Sequence, residues 1–138
     1  MTQPARFPFV DVNPARPGTG LMPYIPLLLA ANQRALQAQG LLDTGATISV
    51  LPYDVGLQLG FDWGQQRVPV QLGGNLGQAP AYAVLVDGTI APFPSVRLAF
   101  AWTRNNAVPV ILGQTNFFLA FDVTFRRKRS EVELLPAS

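Results

Sequence analysis

The sequence contains no cysteine and no histidine, and these two absences narrow the chemistry open to the chain. Ser-His and Cys-His nucleophile pairs are impossible without histidine, and so are zinc sites with histidine or cysteine ligands. Disulfide bonds cannot form, so cysteine usage says nothing about the redox compartment. The groups left for acid–base work are eight carboxylates: Asp11, Asp43, Asp54, Asp62, Asp87, Asp122, Glu131 and Glu133. The chain therefore performs carboxylate chemistry or none.

Charge is also scarce, because only 13% of the 138 residues are charged and the formal net charge is +2. This small excess of positive charge does not indicate a nucleic-acid-binding protein. A basic run at residues 126–129 is interpreted as the solvated tip of a hairpin, because no aromatic stacking platform accompanies it. A hydrophobic share of 49% is enough for one compact core. The low charge content is also consistent with apolar surface that a partner subunit covers.

Long hydrophobic runs are missing as well. The most apolar run, residues 21–31, is too short to span a bilayer and contains Pro23 and Pro26. The N-terminus lacks the apolar segment of a secretory signal. We therefore expect a cytoplasmic protein that has neither nucleic acid nor membrane as a partner.

The pattern that is present predicts an all-β domain at residues 21–138, preceded by an extended, proline-rich arm at residues 1–20 with a short strand at 7–12. Residues 35–42 suit a returning strand, although their alanine and glutamine also suit a helix. Asp87-Gly88 is interpreted as a turn, and Asp54 as an acid in the favourable first turn of a helix that Pro52 opens. Strands are predicted at residues 21–30, 35–42, 67–72, 81–86, 95–102, 108–113, 121–125 and 131–135, and short helices at 52–59 and 114–119.

The stretch at residues 41–52 places Asp43 inside an apolar run and follows it at once with Thr44 and Gly45. A carboxylate in such surroundings is costly unless it is hydrogen-bonded or protonated. One interpretation is a turn cap, in which Asp43 accepts backbone N–H groups of residues 44–46. The other is a functional site, in which a buried acid ends a strand and small residues leave space beside it.

A glycine-rich segment joins two of the predicted strands, at Gly73, Gly74, Asn75, Leu76 and Gly77. An ordinary β-turn is one interpretation, and a hairpin tip that can move is the other. A phosphate-binding loop is not indicated, because no Gly-Lys-Ser/Thr follows the glycines.

Asp43-Thr44-Gly45-Ala46 between apolar strands resembles the signature of the retropepsin-like aspartic proteases. The second mark of that family, an apolar pair and a glycine leading into a short helix, stands at Ile111-Leu112-Gly113. The glycine-tipped hairpin lies between the two marks, where the family has its flap. The three features follow the family's order and cover residues 21–135. The sequence around residues 113–125 is more similar to cellular, bacterial-type members of the superfamily than to viral ones.

This resemblance implies a closed, barrel-like lobe with one or two short helices. It also implies a two-fold homodimer, because the chain holds a single Asp-Thr-Gly. The two Asp43 carboxylates would activate a water that hydrolyses an extended peptide or protein substrate, without metal ion or cofactor. The resemblance assigns further roles to three groups: catalytic-loop support to Thr44, Gly45 and Ala46, the flap to residues 73–77, and the cleft wall to Val50, Ile111, Leu112 and Gly113.

Two departures from the family pattern leave alternatives open. Gln114 stands where viral members have an arginine, so their salt bridge is absent, and residues 1–20 have no counterpart in the pattern. One alternative is a catalytically silent dimer that binds extended peptides or scaffolds other proteins. Another is a weakly dimerising, zymogen-like form in which residues 1–20 lie over the cleft or replace interface strands.

Overall fold

Six strands form a closed barrel, and the remaining strands form two small sheets, in the computed structural model, which describes residues 2–138. The strands are β1 (Ala5–Pro8), β2 (Val10–Asp11), β3 (Leu21–Met22), β4 (Tyr24–Ala31), β5 (Arg34–Leu42), β6 (Val50–Leu51), β7 (Ala81–Thr89), β8 (Val96–Thr103), β9 (Val110–Leu112), β10 (Phe121–Arg126) and β11 (Glu131–Pro136). The helices are α1 (Tyr53–Gln58) and α2 (Phe117–Ala120), with short 3₁₀ segments at Trp63–Gln65, Gly74–Gln78 and Arg127–Arg129. The prediction of an all-β barrel with short helices is confirmed.

The barrel order is β4-β5-β9-β6-β8-β7, and β7 pairs with β4 to close it. β4 and β5 form the predicted hairpin, whose turn residues Asn32 and Gln33 both have positive φ, as tight hairpin turns require. β9 lies between β5 and β6, parallel to the first and antiparallel to the second. The parallel pairing brings the ends of β5 and β9 to one edge of the barrel, although they are far apart in sequence.

Alternating apolar residues fill the barrel, as the pattern of β8 shows. The alternation predicts that Val96, Leu98, Phe100 and Trp102 face inward and Arg97 outward. Leu98, Phe100 and Trp102 are buried, Val96 is half-buried and Arg97 is exposed. The Trp102 ring stacks on Tyr53 of α1 at 5.6 Å between centroids, and its Nε1 donates to the Tyr53 carbonyl oxygen at 3.0 Å. A Cβ at Gly56 would lie 2.1 Å from Nε1 of Trp102, so this glycine allows α1 to lie directly on the barrel.

The ends of α1 differ slightly from the predicted ones. Pro52 is the N-cap, with Tyr53 as the first helical residue, so the proline stands one position earlier than predicted. Gly60 follows the helix with a φ of +83°, a left-handed conformation that glycine adopts most easily. The helix itself lies where the proline and the acid in the first turn predicted it.

The chain termini share a three-stranded sheet of order β1-β11-β10. The predicted final hairpin is present, with Arg127–Arg129 as its tip. The arm contains two short strands where one was expected: β1 pairs with β11, and β2 pairs with β3. The division between an arm at 1–20 and a domain at 21–138 stays a prediction.

Residues 67–72 do not form the predicted strand. An isolated bridge between Pro69 and Tyr82 is flanked by two backbone hydrogen bonds, from Val70 to Ala81 and from Ala83 to Val68. These bonds make Pro69 and Tyr82 a non-hydrogen-bonded pair, so the position that lacks an N–H faces away from β7 and the proline is tolerated there. The first arm of the hairpin that carries the glycine-rich segment is therefore paired with β7, its second arm, over a very short length.

The predicted turn at Asp87-Gly88 is wrong, because both residues lie inside β7. Asp87 stands opposite Arg97 of β8, and its Oδ1 accepts a hydrogen bond from Arg97 Nε at 3.1 Å. The cross-strand pairing of β7 with β8 and β4 decides the structure here, over the local preference of Asp-Gly for turns.

The stability of the loop after β2 is expected to depend on pH. Asp11 accepts backbone N–H groups of Gly18 and Asn13, each at 2.9 Å, and these bonds lower the pKa of Asp11 from its ordinary 3.8. The folded chain thus binds fewer protons here than the unfolded chain. The resulting stabilisation is present above the unfolded pKa and is lost as pH falls through the lowered folded pKa.

We expect the Gly18 amide resonance to titrate in this acid range in NMR spectra of the wild type, but not in Asp11→Asn. A Gly18 resonance that does not move with pH in the wild type would contradict this.

Candidate active site

Asp43 is the first residue after β5, at the barrel edge where β9 also ends. Its N–H donates to the Leu112 carbonyl oxygen at 3.0 Å, which continues the parallel pairing of Leu42 with Leu112 by one residue. The prediction of a buried acid is wrong for the single chain, because Asp43 is half-buried. The reason is position: the Leu42 side chain fills the barrel, and the chain leaves the barrel at the next residue.

The turn-cap interpretation of Asp43 describes its local structure correctly. The Gly45 N–H donates to Asp43 Oδ1 at 2.9 Å, and the Ala46 N–H donates to the Asp43 carbonyl oxygen at 3.2 Å. A Cβ at Gly45 would meet only the Asp43 carboxyl group, at 3.3 Å. The turn therefore fixes one carboxyl oxygen while small residues keep the space around it open.

The segment after β9 holds the Asp43 loop from the side. The Gln114 N–H donates to the Ala46 carbonyl oxygen, and the Thr115 N–H donates to the Thr47 carbonyl oxygen, both at 2.8 Å. These bonds run backbone to backbone, so the position of the loop depends on the path of the chain in both segments. The two motifs of the sequence are thus physically joined.

Gly113 lies beneath the loop at a distance that excludes a side chain. A Cβ at this position would lie 2.7 Å from the Ala46 carbonyl oxygen and 2.9 Å from that of Ile48. The Gly113 N–H donates to Ser49 Oγ at 3.0 Å, and Ser49 is only 2% exposed. Sequence reasoning missed Ser49, although a serine inside an apolar strand is a signal that it needs a buried partner.

A groove of about 430 Å³ opens beside Asp43. Among the lining residues within 2–138, Asp43 is the one titratable side chain, and most of the rest are apolar or small. The residues that line the groove are Asp43, Gly45, Ala46, Thr47, Ile48, Val50, Leu72, Gly73, Gly74, Leu76 and Ile111. One acid thus stands alone at the edge of an apolar groove.

Several predicted site residues lie outside the groove lining. Thr44 is exposed and is not part of the lining, and neither are Asn75 and Gly77 of the glycine-rich segment. Leu112 is fully buried because strand alternation turns it into the barrel while Ile111 faces the groove. The groove residues that the sequence did not single out are Thr47, Ile48 and Leu72, and the first two were signalled only by their closeness to Asp43 in sequence.

Other kinds of site were also sought in the part of the chain that the structure describes. Residues 2–138 contain no group of three or more acidic side chains close enough to share a metal ion. No helix within these residues is both long and apolar enough to pass through a bilayer. The predicted absence of cofactors stays a prediction.

Comparison with solved structures identifies the architecture. A retropepsin-like aspartic protease from Rickettsia conorii superimposes with a TM-score of 0.67 at 13% identity, covering 96% of this chain and 91% of that one. The retroviral protease-like domain of Ddi1 from Leishmania major gives 0.56 at 19% identity, covering 83% and 94% of the two chains. EIAV protease bound to the inhibitor HBY-793 gives 0.52 at 21% identity, covering 71% and 86%.

The chain has the retropepsin-like fold. This confirms the resemblance that Asp43-Thr44-Gly45-Ala46 and Ile111-Leu112-Gly113 carried. No family model and no curated protein sequence matches the chain. The coverage of the Rickettsia structure extends into residues 1–20, which the sequence pattern left without a counterpart.

Proposed function

We propose that this chain is an aspartic endopeptidase that hydrolyses extended peptide substrates as a homodimer. The observation that carries the proposal is Asp43: a single half-buried carboxyl group, fixed by the Gly45 N–H, at the edge of an apolar groove in a retropepsin-like barrel. The fold alone does not grant the activity. The placement of this acid supports it.

The homodimer follows from the number of acids at the groove. Hydrolysis of an amide by water needs a base to take a proton and an acid to give one. One copy of the groove offers only Asp43 for these tasks. A two-fold axis close to Asp43 would bring the same residue from a second copy to the site, so that one residue serves both roles.

Two carboxyl groups at hydrogen-bonding distance hold one proton between them, because two negative charges that close repel each other. In the proposed mechanism the ionised Asp43 takes a proton from a water between the two groups, and the water attacks the peptide carbonyl carbon. The protonated Asp43 donates a hydrogen bond to the carbonyl oxygen. A proton then passes to the leaving amine, and no covalent enzyme intermediate forms.

Surrounding residues support the binding of an extended peptide. Val50, Leu72 and Ile111 give the groove apolar walls, which would favour hydrophobic side chains beside the cut bond. We propose residues 73–77 as a flap. Gly73, Gly74 and Leu76 reach the groove, and residues 67–72, which precede them, pair with β7 over a very short length. Thr44, exposed beside the acid, is proposed to bond across the two-fold axis.

One observation favours the non-catalytic alternative. The hydrogen bond from Gly45 to Asp43 is an ordinary turn contact, and it would keep this loop folded even in a protein that only binds peptides. The direct test is digestion of a mixed peptide library from acid to neutral pH, at high protein concentration because a weak dimer dissociates on dilution. Cleavage supports the peptidase. A dimer by light scattering that cuts nothing at any pH supports the binding module.

Mixing experiments test the shared site. If each active site needs Asp43 from both copies, and subunits exchange freely, an equal mixture of wild type and Asp43→Asn at constant total protein retains about one quarter of the wild-type activity. If each chain acts alone, the mixture retains about one half. The measurement is the initial cleavage rate over a series of mixing ratios. A straight line through these rates would contradict the homodimeric site.

A further inference from the structure

The side chain of Gln114 makes a contact that the proposed mechanism has not used. Its Nε2 donates to the carbonyl oxygen of Thr44, the residue directly after Asp43. Gln114 is exposed and does not line the groove, so this contact is neither core packing nor substrate binding. It ties the segment after β9 to an exposed part of the Asp43 loop.

The Thr44 carbonyl and the Gly45 N–H belong to the same peptide group, which is therefore held at both ends. The Gln114 side chain donates to the Thr44 carbonyl oxygen, and the Gly45 N–H donates to Asp43 Oδ1 at 2.9 Å. Because a peptide group is planar, fixing its oxygen also fixes the direction of its N–H. A hydrogen bond to the oxygen also polarises the group and strengthens the bond that the N–H donates.

We propose that Gln114 is a positioning residue that orients the Asp43 carboxyl group through the peptide between Thr44 and Gly45. The catalytic consequence rests on the proposed peptidase function, whereas the contact itself does not. When a fixed donor holds one oxygen of a carboxyl group, the direction in which the second oxygen points is fixed as well. Orientation of this kind affects the reaction rate more than the affinity for substrate.

The chain around Gln114 is rigid enough to serve this purpose. Its own N–H donates to the Ala46 carbonyl oxygen at 2.8 Å. Two residues later, Asn116 has φ +76° and ψ −58°, and the Phe117 N–H donates to the Thr115 carbonyl oxygen at 3.0 Å. This is the rare, strained form of the γ-turn. Strain of this kind persists only where surrounding contacts enforce it.

The enforcing contact comes from the barrel. Asn116 Oδ1 accepts a hydrogen bond from the N–H of Ala99 at 2.7 Å, so the strained turn is anchored to strand β8 of the barrel. The turn reverses the chain immediately after the residues that bond to the Asp43 loop. Gln114 therefore projects toward Thr44 from a segment that is fixed on both sides.

The test is Gln114→Met, which keeps an unbranched side chain of similar length and removes the amide donor. A lost hydrogen bond corresponds to a factor of roughly 2 to 10 in rate or in local opening. We expect the Gly45 amide of the full chain to exchange with solvent roughly 2- to 10-fold faster by NMR. We also expect kcat to fall by a similar factor while KM changes by less than about twofold.

Gln66→Met is the matched control. The Gln66 side chain also donates to a backbone carbonyl, that of Asp62 at 2.9 Å, but Gln66 does not line the groove. This variant should keep the wild-type kcat and the wild-type exchange of Gly45. A drop in kcat in both variants would show a general loss of stability and overturn the positioning role.

Two further outcomes separate the inference from the proposed function. Gly45 exchange at the wild-type rate in Gln114→Met overturns the positioning role whether or not the protein cleaves peptides. Faster Gly45 exchange with unchanged kcat overturns its catalytic consequence. If the wild-type dimer cleaves nothing, the peptidase proposal fails, while faster Gly45 exchange in Gln114→Met still supports the orienting contact.

Discussion

Asp43→Asn is expected to lower the rate of peptide cleavage about a thousandfold or more while leaving the fold and the proposed dimer intact. The carboxyl group is the one titratable group at the groove, so its loss removes both the base and the acid of the proposed site. General acid–base catalysis alone contributes factors of about 10² to 10⁴. The asparagine oxygen can still accept the Gly45 N–H, so the turn should be preserved.

The measurement compares initial cleavage rates of the two purified proteins, with light scattering and urea unfolding as checks on assembly and stability. Asp54→Asn is the matched control, because it makes the same chemical change on the exposed first turn of α1. It should cleave at the wild-type rate. An Asp43→Asn dimer that retains a substantial fraction of the wild-type rate would remove Asp43 from the mechanism.

Gly113→Ala is expected to damage stability and activity together. The added Cβ would lie 2.7 Å from the Ala46 carbonyl oxygen and 2.9 Å from the Ile48 carbonyl oxygen, and both neighbours are backbone atoms that cannot rotate away. Overpacking of this kind destabilises a protein by about 1 to 3 kcal/mol. The loop that carries Asp43 must shift to relieve the contact. A displacement on the order of 1 Å can lower activity about a hundredfold.

Urea unfolding measures the loss of stability, and kcat measured without urea gives the loss of activity. Gly64→Ala is the control, because the new Cβ would meet its nearest neighbour, an oxygen of the Asp62 carboxyl group, at an ordinary 3.5 Å. That variant should differ little from the wild type in both measurements. Wild-type stability in Gly113→Ala would mean that Gly113 does not support the loop by close approach.

The fold was largely predictable from local patterns. Alternation in residues 95–102 predicted most of the β8 side chains that face the core, and Pro52 marked the start of α1 within one residue. The failures came where pairing outweighed local preference. Asp87-Gly88 resembles a turn but lies in β7 because neighbouring strands pair along its whole length. The alternation of residues 67–72 resembles a strand, yet these residues pair with β7 only around the isolated bridge between Pro69 and Tyr82.

The candidate site divides in the same way. The sequence by itself limited the possible chemistry to carboxylates, because histidine and cysteine are absent, and its one Asp-Thr-Gly made Asp43 the candidate. Only the tertiary structure decided which residues surround it. The pairing of β5 with β9 brings Gly113 and Gln114 against the Asp43 loop, and strand alternation turns Ile111 to the groove and Leu112 to the core. The chemistry of each residue can be inferred from the sequence. Contacts between distant segments depend on strand register, which is set by the packing of the whole barrel.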